Sequence, residues 1–177
     1  MRIIVLLLAV VVGLGLIVVA VGYLLPVQHV VTVAAHVPAT PEQVWDAVTD
    51  VAAYPKWRGD VTSVAMLPSD SGHVAWREHG KNDAISYAIE QAERPRRLVT
   101  RITDTSLPFG GSWEYLITAE GDGSRVQITE QGEVYNPVFR FVSRFIMGHA
   151  STASGFLTSL GALFGATVTP EMVTART

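Results

Sequence analysis

Hydrophobic and polar positions along the chain change period four times, and each change marks an element. Residues 3–25 form a run of 23 without a charge. At 1.5 Å per residue this is a helix of roughly 34 Å, enough to cross a hydrocarbon core of about 30 Å. A cleavable signal carries a shorter apolar region, and Ala20-Val21-Gly22 is a poor cleavage site, so residues 1–26 are expected to be an uncleaved transmembrane anchor. Arg2 and the terminal amine are the only positive groups before the span, and the next is Lys56. That asymmetry places the N-terminus in the cytoplasm and the following domain on the outer, periplasmic or extracellular, side of a single-pass protein.

Residues 27–37 gather β-branched side chains (Val30, Val31, Thr32, Val33) and predict a first strand. Thr40 then stands at a helix N-cap, with Pro41 at the first helical position and Gln43 at capping-box spacing. Val44, Trp45 and Val48 give that short helix an apolar face. Asp50 is placed to cap a further turn, which Pro55 ends.

From Val61 the period becomes two. Segments 61–67, 73–79, 84–91, 97–103, 112–119 and 125–134 predict six more strands, separated by turns rich in Gly, Pro, Asn and Asp. Connections this short favour antiparallel hairpins over crossovers. Asn136-Pro137 then restores the helical period as far as Phe164. At 100° per residue, Val138, Val142, Ala153, Phe156 and Leu160 share one face and Arg140, Arg144, Met147, Ser151 and Thr158 the other. The expectation is one amphipathic helix of about seven turns, followed by a disordered tail over 166–177. Seven antiparallel strands with one apolar face need a cover, and this helix is the element able to provide it. The fold class is α+β: a curved sheet wrapped around a long C-terminal helix over residues 27–165, with a cavity between them because one cylinder cannot fill a wide concave sheet.

Composition narrows the function classes. Net charge is −3 with no basic block, which argues against a nucleic-acid partner, since neutralising phosphates needs a face of Lys and Arg. Mean hydropathy of +0.30 owes much to the first 25 residues, and the remainder reads as an ordinary domain. There is no cysteine, hence no disulfide, thiol nucleophile or cysteine metal site. The five histidines include no His-x-x-x-His pair, so no metal site is expected. No phosphate-binding loop, dinucleotide fingerprint or nucleophile elbow occurs, and no cofactor is expected.

The order of elements, together with Val37-Pro38-Ala39-Thr40-Pro41-Glu42-Gln43-Val44-Trp45, Asp50 and Tyr54-Pro55-Lys56-Trp57, resembles the START-like (Bet v 1-like, SRPBCC) superfamily. Pro95-Arg96-Arg97-Leu98, Trp113-Glu114-Tyr115 and Gly123-Ser124-Arg125-Val126 extend the likeness, which is strongest to its polyketide cyclase/dehydratase and lipid-transport group. The resemblance covers residues 28–163 and implies a helix-grip fold with an apolar ligand cavity. It does not choose among carriers, receptors and cyclases. The membrane span departs from the usual pattern and counts against a freely diffusing carrier.

Three candidates for chemistry follow from position. His149 falls near the middle of the apolar helix face and would point into the grip, either as a satisfied core histidine or as a ligand-orienting group or proton shuttle. Glu78 continues the stripe of Val74 and Trp76, and Glu130 continues that of Val126 and Ile128. These two carboxylates either line the cavity, raising each other's pKa near His149, or sit where the stripes reach solvent. Candidate ligand-binding residues are Trp57, Trp76, Tyr87, Trp113, Tyr115, Val142, His149 and Phe156. The apolar loop 107–111 is either a gate at the cavity mouth or a hairpin turn, and Arg140 and Arg144 either bind an anionic headgroup or are simply solvated.

The favoured reading is a membrane-anchored binding protein for a hydrophobic small molecule, lipid-like or aromatic. The alternative is a cyclase/dehydratase-type enzyme using His149 with Glu78 or Glu130. A third is an interaction module whose cavity has collapsed.

Overall fold

A computed structural model describes residues 2–68, 73–148 and 150–173. The apolar run forms one helix, α1 (Arg2–Leu24), which is long and apolar enough to cross a membrane, and its most apolar window has none of its residues buried in the protein. The helix is apolar on every side, and the protein covers it only at its last turns, where Gly22 is buried.

The next segment, β1 (Gln28–Val37), leads into α2 (Pro41–Thr49). The capping box is formed: the Gln43 amide donates to Thr40 Oγ1 at 3.3 Å and the Thr40 amide donates to Gln43 Oε1 at 2.9 Å. Val44, Trp45 and Val48 of α2 are buried. A 3₁₀ turn (Val51–Ala53) and the one-turn α3 (Tyr54–Trp57) follow.

Six strands then run as an antiparallel meander: β2 (Ser63–Leu67), β3 (Ala75–His79), β4 (Ala84–Glu93), β5 (Arg97–Ile102), β6 (Phe109–Glu120) and β7 (Gly123–Val134). The sheet order is β2-β3-β4-β5-β6-β7-β1-β8, so the first strand returns to pair with the seventh. The 107–111 segment is not a separate loop, because Phe109–Gly111 already pairs with β7 as the start of β6.

Two expectations need correction. The tail is ordered through Val173: β8 (Glu171–Met172) pairs with Val33 and Ala34, and the Val173 amide donates to Thr32 O at 2.9 Å. Arg125 holds Glu171 at 2.9 Å, and a Cβ on Gly161 would fall 2.5 Å from Val168, so the tail lies tightly against the last helix. The physical reason is the edge of β1, whose unpaired backbone groups the tail covers. Residues 174–177 of the expected tail lie outside the described residues.

The long C-terminal helix is also not continuous. It consists of α4 (Pro137–Val142), a π-helical turn (Ser143–Met147), a break at Gly148 with φ of +75°, and α5 (Ser151–Leu163). The break resets the helical phase. Ala153, Phe156 and Leu160 are buried as expected, while Val138, assigned to the same face, is exposed. Only α5 grips the sheet, and α4 packs most extensively against α1. Its Asn136 cap accepts from the amides of Val138 and Phe139 at 2.9 and 3.2 Å.

The core lies between the concave face, α2 and α5, with Val37, Val126, Ile128, Leu157 and Leu160 at or near zero exposure. Leu160→Ala should cost about 2–5 kcal/mol, the range for emptying a packed leucine site. Leu163→Ala, one turn on but 42% exposed, should change stability by no more than about 0.5 kcal/mol. Denaturant unfolding of the full chain in detergent checks this, and equal losses would contradict the assignment of α5's buried face.

Candidate functional site

Because α5 covers only part of the concave face, a cavity of about 470 Å³ remains beside it. Strand pairing sets its walls. Trp76 of β3 lies directly opposite Tyr87 of β4, and their rings stack at 5.5 Å with 22° between planes. On β6, Trp113 and Tyr115 alternate onto the same face, with ring centres 6.1 Å apart. All four line the cavity. Three other expected lining residues do not. Phe156 stands behind the wall, meeting Trp113, Tyr115, Tyr54 and Trp57 edge-on at 5.9, 5.6, 6.1 and 5.4 Å. Trp57 packs in the same cluster, and neither it nor Val142 reaches the cavity surface. His149 lies outside the described residues.

Glu78 does point inward, and it meets a residue that the sequence reading passed over. Arg58 follows α3 immediately, and its amide donates to Tyr54 O at 2.8 Å. The extended backbone at Arg58 turns its side chain into the cavity. The guanidinium lies 4.8 Å from the Tyr54 ring centre and 5.2 Å from that of Phe156, a cation over two aromatic faces. Its Nε and Nη2 donate to Asp60 at 3.3 and 2.6 Å, and its Nη1 lies 3.0 Å from Glu78 Oε2. The other Glu78 oxygen accepts from the Trp76 indole at 2.9 Å.

Burial governs the electrostatics of this group. It pushes the Glu78 carboxyl above its ordinary range, and the opposing attraction of Arg58 and the Trp76 hydrogen bond do not fully offset it. For Asp60 burial acts the same way, but the hydrogen bond and charge of Arg58 win and hold the pKa low. Burial likewise opposes the charge on Arg58, yet the Asp60 hydrogen bond and the charges of Glu78 and Asp60 keep its proton more firmly held than usual.

Three buried tyrosines complete the polar end. Burial raises Tyr54, Tyr87 and Tyr115 well above the ordinary phenol value, with Glu78 adding to each, so all are protonated donors at neutral pH. Tyr54 spends its hydroxyl on Val48 O at 2.7 Å. The hydroxyls of Tyr87 and Tyr115 donate to no described residue.

Glu130 also lines the cavity, from a different position. Its two oxygens meet the Trp113 indole, from the residue directly opposite on β6, at 2.9 Å and His29 Nε2 of β1 at 3.1 Å. The His29 ring fits because position 132 is glycine, where a Cβ would overlap the ring. The expected mutual coupling of the two glutamates gives way to two separate sites. The charges acting on Glu78 are those of Arg58 and Asp60, and each carboxylate has both oxygens engaged by its own donors. The signal for Arg58 was present in the sequence: an Arg one residue beyond Tyr54-Pro55-Lys56-Trp57, with an Asp two positions on.

Comparison with known proteins agrees with this architecture. The family model described as polyketide cyclase / dehydrase and lipid transport matches residues 28–164, and the chain belongs to that family. Among solved structures, a START superfamily protein from Mycobacterium smegmatis is similar at a TM-score of 0.62 and 17% identity, covering 77% of this chain and 97% of its own. The Zhui aromatase/cyclase from Streptomyces sp. R1128 is similar at a TM-score of 0.61 and 13% identity, covering 78% and 94%. A protein from Thermus thermophilus gives 0.62 at 18% identity, covering 76% and 95%. At these identities the likeness establishes the START-like fold. No curated protein sequence matches the chain.

The two carboxylates held by Arg58, buried Glu78 and largely exposed Asp60, make stability depend on pH in adjoining windows. A raised folded pKa means that ionising Glu78 opposes folding, so its contribution declines as pH rises above the ordinary 4.5 through the folded value. Asp60, with a lowered pKa, contributes fully above 3.8, and that contribution is lost as pH falls through its folded value. Glu78→Gln should therefore remove the decline above 4.5 and gain on the wild type as pH rises. Chemical denaturation across pH checks this, and parallel stability curves for the two proteins would contradict it.

Proposed function

We propose that this member of the polyketide cyclase/dehydrase and lipid transport family is a membrane-anchored binding protein. Its ligand is a hydrophobic molecule, lipid-like or aromatic, carrying a neutral oxygen such as a hydroxyl or carbonyl. The observation that carries the reading is the chemistry of the cavity wall. Stacked and edge-packed aromatics border a polar end where Tyr87 and Tyr115 hold their protons and donate to no described residue. Both residues line the cavity, and neither hydroxyl is among the buried side-chain atoms left without a partner, so each opens to the cavity space, where a ligand oxygen is the partner that the enclosure suits. Asp60 and Glu78 already balance Arg58, so the polar end gives no surplus cation to attract a carboxylate or phosphate. A neutral oxygen fits that balance.

The anchor is α1. As the charge pattern suggests, it would hold the domain on the outer face, where ligands dissolved in the membrane lie within a few residues of the cavity. A proton-transfer enzyme is the less supported reading, because both candidate carboxylates have their oxygens occupied by indole, guanidinium or imidazole groups. A base used in that way would first have to leave its donors.

Fluorescence titration of the full chain in detergent, with 1-naphthol and naphthalene as probes, tests the proposal. The wild type should bind both and prefer the hydroxylated probe. Tyr87→Phe combined with Tyr115→Phe removes the two cavity-facing hydroxyls and keeps both rings. It should keep naphthalene binding and lose about three- to tenfold of the preference for naphthol, the worth of one net hydrogen bond. Thr100→Trp, on the cavity wall directly opposite Trp113, should block both probes. A wild type that binds neither probe would overturn the reading.

A further inference from the structure

Residues 137–148, which comprise α4, the π-helical turn and Gly148, have few contacts with the sheet and many with the end of α1. A Cβ on Gly22 would overlap the Pro137 carbonyl oxygen, so helix and segment touch backbone to backbone. Val18, Val21, Gly22 and Leu25 are all at least partly covered and fall three or four residues apart, which puts α4 beside the last turns of α1. Arg140 fixes the junction: Nη1 donates to Leu25 O at 2.9 Å and Nη2 to Tyr135 O at 3.2 Å. If α1 spans the bilayer, its last turns lie where acyl chains meet headgroups, and α4 lies at that level too.

The composition of the segment suits that depth. Phe139, Phe145 and Ile146 are 49, 59 and 71% exposed, and the Phe141 and Phe145 rings pack together at 4.9 Å. Residues 137–148 contain two arginines and no acid in a chain whose net charge is negative. Among the described residues, Arg144 makes no ion pair. An aromatic, aliphatic and cationic surface continuous with a membrane span matches the headgroup–acyl boundary of an anionic leaflet. The same segment borders the cavity through Phe139, Ser143 and Gly148.

We infer that residues 137–148 are a second membrane-contacting element, seated in the leaflet where α1 ends. They form the mouth through which the cavity exchanges its ligand sideways with the bilayer, and anionic headgroups are the partners of Arg144. The inference rests on α1 as the anchor and on the cavity as a site for a lipid-like ligand.

The absence of cysteine from the chain makes single labels unique. Phe145→Cys, Ile146→Cys and Asp122→Cys, each carrying an environment-sensitive fluorophore, are placed in the full chain and reconstituted into vesicles of phosphatidylcholine and phosphatidylglycerol. Asp122 precedes β7, at the end of that strand remote from α1, since it is Val134 that donates to Val27 O. Labels at 145 and 146 should emit at shorter wavelength and be quenched by nitroxide on the acyl chains, while the label at 122 should show neither. A label at 146 that behaves like the one at 122 would overturn the inference.

Loading supplies the second readout. Phe145→Asp combined with Ile146→Asp should slow uptake of a pyrene-labelled long-chain alcohol from those vesicles by about tenfold or more, for a barrier raised by the cost of inserting charge. Affinity for the same probe in detergent should be unchanged. Equal loading rates, with the wild type binding the probe in detergent, overturn the mouth alone. A wild type that binds no probe in detergent overturns the cavity reading, and the loading route falls with it.

Discussion

α5 packs Phe156, Leu157 and Leu160 into the concave face of the sheet, and at thirteen residues it is too short to cover that face. The chain before it would have extended the cover had the helix continued. The backbone at Gly148 instead turns to φ of +75°, a conformation that glycine adopts without steric cost. This limit on the cover has two consequences. The uncovered part of the sheet keeps its aromatic residues around a cavity, and the segment freed from the sheet packs on the apolar helix that precedes the domain. The cavity and the segment packed on α1 are thus two results of one interruption.

The charges inside the cavity follow the same logic. A guanidinium taken from water is costly unless it is paired and hydrogen-bonded, and Arg58 is satisfied by Asp60, Glu78 and two ring faces. The pairing spends its charge. What remains for a ligand is hydrogen-bond capacity, from Tyr87, Tyr115 and the N–H groups of Arg58 not turned to carboxylates. The Glu130 group at the other wall is likewise closed on itself by His29 and Trp113. On the proposed reading, a site built this way would select by shape and by neutral polar contact more than by charge.

Much of this was legible in the residues. Alternation located the seven principal strands and put Glu78 and Glu130 on the same stripes as Trp76 and Ile128, but it left open whether those stripes line the cavity or reach solvent at the two glutamates. Thr40 and Gln43 announced their capping box by spacing alone. What escaped was set by contacts distant in sequence. Two residues of β8 carry no periodic signal, and only the open edge of β1 explains them. The helix break could be suspected from Gly148, but the direction taken by α4 depends on the backbone of Gly22, more than a hundred positions earlier. Arg58 lies beside a motif that was read, yet its side-chain direction comes from the fold of α3. The partners of Glu130 depend on cross-strand register, which places Trp113 opposite it.

The central claim is that the cavity holds a hydrophobic molecule with a neutral oxygen. Native mass spectrometry of the full chain, extracted in mild detergent from the cells that make it, measures this most directly. The account predicts a bound species at one per chain whose mass and fragmentation show a long apolar or polycyclic body bearing a hydroxyl or carbonyl. A protein that emerges empty, and stays empty after incubation with lipids from its own membrane, would contradict it.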